Sequence, residues 1–191
     1  MGEGQKHDYG EINENSPVNL FDRIRLNQPE NFSMKKIPGV DMTSGSLGQG
    51  LSVSNGMALA GKLDNKNYRV YCILGDGEIE EGEVWEAAMT SRQYKLDNVC
   101  VIVDNNNLQI DGCIEDVMNS KPIDKKFESF GFNVIEINGH DYNEIYNALE
   151  EAKTVKGKPT AIIAKTIKGK GVPFMENQVG WHWNRKNIDY G

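Results

Sequence analysis

The stretch Tyr68-Arg69-Val70-Tyr71-Cys72-Ile73-Leu74-Gly75-Asp76-Gly77 sets a short β-rich apolar run directly against a Gly-Asp-Gly turn. Residues 83–95 follow with helical spacing through Val84, Ala87, Ala88 and Ser91, so the segment reads as strand, turn and helix. Val99 to Val103 is the next continuous apolar run and ends at Asp104-Asn105-Asn106-Asn107. Runs with no polar alternation fit strands covered on both faces of a parallel sheet. Further strands are expected at Phe132 to Ile137 and Thr160 to Ala164. Between them Asp141 and Glu144 predict a capping box for a helix carrying Ile145, Ala148, Leu149 and Ala152, with Gly157 beyond its end. Strands alternating with such helices predict an α/β fold, a mainly parallel sheet with right-handed crossovers and helices on both faces.

Outside this core the texture changes. Residues 1–33 are rich in Asn, Glu, Asp and Gly, with one apolar cluster from Val18 to Leu26, and are expected to be a poorly ordered or irregular N-terminal segment. Residues 34–191 are expected to form one domain, as 191 residues support a single core and fall short of two ordinary domains. The small residues Gly56, Ala58, Ala60 and Gly61 predict a helix from Leu51 to Leu63 able to approach another backbone closely. Acidic residues outnumber basic ones 28 to 21, a net charge of -7, and the cations are scattered, which argues against nucleic acid as a partner. No apolar run reaches the roughly 18 residues of a membrane span and the N-terminus is polar, so no membrane association and a cytoplasmic location are expected. Of three cysteines, Cys72 and Cys100 read as buried core residues, and Cys113 follows a predicted Asp111-Gly112 turn with no base beside it.

In an open α/β sheet, ligands gather outside the carboxyl ends of the strands. Two polar clusters are predicted there. Asp76 and Asn106 are 30 residues apart, the length of one crossover, which brings both to the same rim. A carboxylate, an amide oxygen and a backbone carbonyl are hard oxygen ligands suited to magnesium, which completes its shell with phosphate oxygens and water. Gly75 and Gly77 fit a diphosphate, because without a β-carbon the backbone N–H groups reach phosphate oxygens, and the following helix is expected to direct its positive end at them. Alone, Gly-Asp-Gly is a common turn, and an Asn cluster often follows a strand. Their order and spacing together are specific.

Those residues resemble the thiamine diphosphate signature, Gly75-Asp76-Gly77 followed after about 28 residues by the Asn106 cluster. The finer text resembles the transketolase family. Thr43-Ser44-Gly45-Ser46-Leu47-Gly48-Gln49-Gly50 is similar to its Thr-Gly-Pro-Leu-Gly-Gln-Gly loop. Gly75 to Gly82 with Trp85-Glu86-Ala87, Leu108 to Gly112, Asn138 to Asp141 and Lys165 to Gly171 fall in the family's order. The likeness runs from about Met34 to His182 and is greatest to split transketolases, whose halves are separate subunits.

The resemblance implies a thiamine diphosphate-binding fold over residues 34–191, thiamine diphosphate and Mg2+ as cofactors, and metal binding by Asp76, the Asn106 side chain and the Leu108 carbonyl. Gly77 would contact the diphosphate, Gly45 and Leu47 the cofactor rings, and Ile110 the thiazolium. Glu81 matches an acidic residue through which paired active sites communicate, and His182 one that reaches cofactor or substrate. The implied activity is transfer of a two-carbon ketol unit between sugar phosphates, in the pentose phosphate pathway. It needs a C-terminal transketolase subunit, the pyrimidine-binding half, in a homo- or hetero-oligomer, with a dimer as the simplest form.

Two other readings share these features. A deoxyxylulose phosphate synthase-like or 2-oxo acid dehydrogenase E1-like subunit has the same fold and metal signature, though Glu78 to Gly82 and Leu108 to Gly112 favour transketolase. A shortened, non-catalytic cofactor-binding or regulatory subunit is the other. It accounts for Asn27-Gln28-Pro29-Glu30 standing where the family has Gly-His-Pro-Glu, and for the earlier histidine motif not being found. His7 reads as a solvated residue and His140, between Gly139 and Asp141, as structural. Lys168 and Lys170 flank Gly169 without the Gly-Lys-Ser/Thr of a P-loop, and the Gly45 to Gly50 loop is spaced GxxGxG, unlike a dinucleotide fingerprint. Trp181 and Trp183 fit either a pocket wall or an interface.

Overall fold

Strand β1 (Val70–Gly75), strand β2 (Val99–Asn105), strand β5 (Asn133–Asn138) and strand β6 (Thr160–Lys165) form one parallel sheet in the order β1-β2-β6-β5. In this computed structural model the described residues are 39–181. The chain divides between Thr43 and Ser44, and the sheet lies in the unit Ser44–Gly191. The predicted N-terminal segment 1–33, His7, His182 and Trp183 fall outside the described residues.

The connecting helices are α1 (Gln49–Leu63) ahead of β1, α2 (Gly82–Gln93) between β1 and β2, and α5 (Tyr142–Thr154) between β5 and β6. Between β2 and β5 the chain makes an antiparallel hairpin, β3 (Leu108–Gln109) and β4 (Gly112–Cys113), then two short helices, α3 (Ile114–Val117) and α4 (Ile123–Ser129). The sheet register places Cys72, Leu74, Val99, Val101, Val103, Ala161 and Ile163 on one face. They pack in one cluster with Leu51 and Ala58 of α1, Val84, Ala87 and Ala88 of α2, and Ile123 and Phe127 of α4. The other face carries Cys100, Ile102, Ile137, Ile162 and Ala164, all buried, and α5 covers that side with Ala148, Leu149 and Ala152. The step from β5 back to β6 reverses direction across the sheet, so a constant crossover hand sends α5 to the face opposite α2. The predicted parallel sheet with helices on both faces is the observed one.

Aromatic packing anchors α4. Phe127 is fully buried, with its ring centroid 5.1 Å from Trp85 and 5.3 Å from Phe132. Between α1 and α2 the contact is polar as well as close. Asn55, 3% exposed, donates from Nδ2 to the Ala87 carbonyl at 2.8 Å and accepts from Ser91 Oγ at 2.7 Å. Of the small residues on α1, Ala58 and Gly61 are buried, and Gly61 leaves room for the Tyr68 ring rather than a backbone. Gly56 and Ala60 face outward.

Asp141 caps α5 as expected, accepting from the N–H groups of Asn143 and Glu144. The reciprocal half of the capping box is absent. Glu144 Oε2 instead accepts the Asn138 N–H at 2.6 Å, because the Asp141 N–H is already held by the Asn138 carbonyl at 3.0 Å. Gly157 has the left-handed φ of +72°, but it turns the chain toward β6 three residues past the end of α5. Cys72 and Cys100 are buried as predicted, and burial pushes both thiols up to about 12. The turn expected at Asp111-Gly112 falls at Ile110-Asp111, which places Cys113 in β4 with its Sγ accepting from Asn107 Nδ2 at 3.0 Å.

Candidate functional site

β1 and β2 are neighbours and parallel, so the loops that leave them emerge side by side. The Asp76 N–H donates to the Asp104 carbonyl at 3.2 Å, and Asp76 Oδ2 accepts the Asn107 N–H at 2.5 Å. The first loop is thereby laced onto the second on either side of Asn106. Ser120 Oγ adds a 3.2 Å bond to the Asp76 carbonyl. Asp76 is 1% exposed. Burial raises its carboxyl to about 6; the Asn107 N–H works against that rise and the charge of Asp104 adds to it.

Asn106 is held at both ends of its amide, with Nδ2 donating to Asp104 Oδ2 at 3.2 Å and Oδ1 accepting the Leu108 N–H at 3.0 Å. Asn107 takes a left-handed φ of +64°, and its Oδ1 is buried without a hydrogen-bond partner. Asp104 also accepts a bond from Thr166 Oγ1 in the loop after β6. Three strand ends therefore meet around Asp76 and Asp104. Among the described residues no three His, Cys, Asp or Glu side chains gather as a metal cluster. The predicted set is of another kind, one carboxylate with amide and carbonyl oxygens, and its three residues lie within this laced turn.

Gly77 packs where a β-carbon would come 3.1 Å from the β-carbon of Gln109, so the β1 loop runs tight against the β3–β4 hairpin. The helix expected to follow Gly77 directly does not. A 3₁₀ turn, Glu78–Glu80, intervenes and the extended backbone of Glu81, at φ -68° and ψ 128°, delays the start of α2 to Gly82. The Gly75 N–H expected to face phosphate is instead taken by Glu78 Oε2 at 3.0 Å, because the 3₁₀ turn brings that side chain back over it. Gly45 and Leu47 lie in the loop before α1. Gly45 has no heavy atom within 4 Å of where a β-carbon would sit, and Leu47 is 49% exposed. Ile110, at the hairpin tip, is 45% exposed. Glu81 is exposed at the N-cap of α2, with its β-carbon 2.8 Å from where one would stand on Gly48.

Two residues beyond the predicted set belong to this rim. Burial holds the Lys168 ammonium below its ordinary value, while the nearby Asp104 and Asp76 carboxylates pull it the other way. The sequence offered only its place in the Lys165 to Gly171 segment. His140 has the structural role expected of it, with Nε2 accepting the Ile167 N–H at 2.7 Å, one residue before Lys168. Trp181 packs against Phe174 within its own segment, with ring centroids 5.3 Å apart and planes tilted by 59°.

An open parallel sheet whose strand ends carry a buried carboxylate, amide oxygens and a glycine-lined loop defines an α/β domain with its polar groups gathered at the rim where such sheets take ligands. Residues 17–185 match the family described as transketolase, thiamine diphosphate binding domain, and the chain belongs to that family. It is 41% identical over 169 residues to the 6-deoxy-6-sulfo-D-fructose transketolase subunit SqwG of Clostridium sp. (strain MSTE9), covering 87% of this chain and 62% of that protein. It is 44% identical over 147 residues to an apulose-4-phosphate transketolase subunit from Actinobacillus succinogenes, covering 77% of this chain and 53% of that one. The crystal structure of transketolase from Campylobacter jejuni superposes with a TM-score of 0.70 at 40% identity, over 74% of this chain and 23% of the other. The chain thus spans about half to three-fifths of the two subunits. Among the described residues no helix is long and apolar enough to cross a membrane.

Proposed function

We propose that this chain is the cofactor-anchoring part of a transketolase that moves a two-carbon ketol unit between sugar phosphates and acts with a second polypeptide. The observation that carries this reading is Asp76, a buried carboxylate laced to the Asn106 turn across the ends of adjacent parallel strands. Mg2+ fits the site. The donors are hard oxygens, the Asn107 amide oxygen is buried without a partner, and burial disfavours the charged form of Asp76, a cost that a cation would offset. In this reading Asp76, Asn106 and the Leu108 carbonyl hold the ion.

The loop at Gly77 offers its backbone to a diphosphate, the Gly75 N–H being held by Glu78 instead, with Lys168 as a cation on the same rim. Leu47 and Ile110 offer exposed apolar surface to the rings. Thiamine diphosphate, when bound, supplies carbanion stabilisation, and the protein supplies anchoring and orientation. The second chain would be a C-terminal, pyrimidine-binding half, a division that the names of the two subunit relatives support. Those names also support a sugar-derived substrate. Glu81 and His182 keep their proposed roles in communication between sites and in reaching cofactor or substrate. A cytoplasmic oligomer serving pentose phosphate metabolism completes the reading.

Reconstitution with the C-terminal subunit tests it. Xylulose phosphate with an aldose acceptor should turn over, and turnover of pyruvate alone would overturn the assignment. By calorimetry, Asp76→Ala should abolish Mg2+-dependent binding of thiamine diphosphate; unchanged affinity would remove the metal assignment. Binding without turnover in the complete complex would instead mark a regulatory subunit.

A further inference from the structure

Glu78 uses both carboxylate oxygens on backbone amides from two separate loops. Oε2 accepts the Gly75 N–H at 3.0 Å, and Oε1 accepts the Gly48 N–H at 3.0 Å, thirty positions away in sequence. Both bonds are partly buried, where a charge-assisted bond counts for more than one in open water. Gly48 is the N-cap of α1, sits at a left-handed φ of +87°, and has no side chain with which to cap the helix. The loop it closes carries Gly45 and Leu47; the loop that Gly75 opens carries Asp76 and Gly77.

We infer that Glu78 is a positioning residue, a two-oxygen clasp that sets the span between the loop assigned to the cofactor's rings and the loop assigned to its diphosphate. The inference rests on the cofactor-anchoring reading above and names what holds its two halves in register. Only an acidic side chain serves here. A carboxylate presents two acceptor oxygens and no donor, an amide presents one acceptor and turns its NH2 toward the second N–H, and Asp is one methylene too short to reach as far. The Glu81 β-carbon lies 2.8 Å from where one would stand on Gly48, so the clasp closes on a loop end packed too tightly for any side chain. The ligand feels this through geometry. One held by a single loop is indifferent to the span, whereas one gripped by both pays for any error in it.

The test compares the wild type with Glu78→Gln and Glu78→Ala, each checked for an unchanged circular dichroism spectrum. In the chain alone, hydrogen exchange at the Gly48 and Gly75 amides should quicken on the order of tenfold or more in Glu78→Ala, with Val101 to Val103 in the central strand unchanged. In the complex with the C-terminal subunit, calorimetry is run with Mg2+ and either thiamine diphosphate or inorganic pyrophosphate. Thiamine diphosphate should weaken roughly tenfold in Glu78→Ala and by less in Glu78→Gln, while pyrophosphate, which needs one loop only, stays within about twofold. Unaltered exchange at both amides would overturn the clasp. Equal losses for the two ligands, or none, would overturn the positioning role. Wild type that binds neither ligand would sink the functional reading and the cofactor half of this inference together, with the exchange comparison still deciding whether the loops are tied.

Discussion

Asp76 shows how one side chain carries both a cost and a purpose. Its carboxyl titrates near 6 in the folded chain because burial disfavours the charge, against an ordinary value of 3.8. A raised folded pKa means that the native state binds the proton more tightly than the unfolded one. Its contribution to stability is therefore complete below about 4 and is lost as pH rises through 6, a change on the order of 3 kcal/mol for two pKa units. Urea unfolding of the metal-free chain should show this loss between pH 4 and 7, and Asp76→Asn should flatten it. Mg2+ should reverse the trend, since cation and proton compete for the same oxygen, and its affinity should climb through pH 6. A wild-type profile parallel to that of the Asn variant would show that Asp76 is not the buried charge. The same rim holds Lys168, drawn between burial and the carboxylates of Asp76 and Asp104.

Elements here are joined by polar bonds that periodicity does not report. Asn55 sits in a stretch read for its small residues, yet its amide bridges to the Ala87 carbonyl and the Ser91 hydroxyl of α2. Replacing it with Ala removes both bonds between the helices and leaves the Ser91 hydroxyl only its 3.0 Å bond to the Ala87 carbonyl, so Asn55→Ala should cost about 1–3 kcal/mol in denaturant unfolding, with little change in the slope. A loss near zero would mean that helix packing alone holds α1 to α2. Glu144 makes a related point. Its spacing from Asp141 predicts a bond within the helix start, and the side chain goes instead to the Asn138 N–H, where the backbone had left a donor open. A second bond follows, as Asn138 Oδ1 accepts the His140 N–H at 3.0 Å. His140 in turn holds Ile167, so the start of α5 steadies the loop that brings Lys168 to the site.

At the scale of the molecule, two layers of helix enclose four strands, and Phe127, with Ile123, joins α4 to the larger cluster. Truncating so large a buried ring removes transfer energy and leaves a cavity, so Phe127→Ala should destabilise the fold by about 3–5 kcal/mol in urea unfolding. A cost below about 1 kcal/mol would show that α4 contributes little to the core. The two layers also explain where the site lies. Loops leaving β1, β2 and β6 all open at the carboxyl ends of a parallel sheet, and the groups they carry converge without any contact between them in sequence.

What the sequence by itself determined was whatever depends on local pattern. Unbroken apolar runs in β1, β2 and β6 require cover on both faces, which makes the sheet parallel and the connections helical. The spacing of Asp76 and Asn106 matches one crossover, which is why their shared rim was legible before any coordinates. Only the tertiary structure decided which backbone donors remained open. Glu78 clasping Gly48 and Gly75, Glu144 bonding to Asn138, and Lys168 facing Asp76 and Asp104 all join segments distant in sequence or answer to bonds already made nearby. A hydrogen bond goes to the partner left unsatisfied once the chain has packed, and that vacancy exists in space, where residue order does not record it.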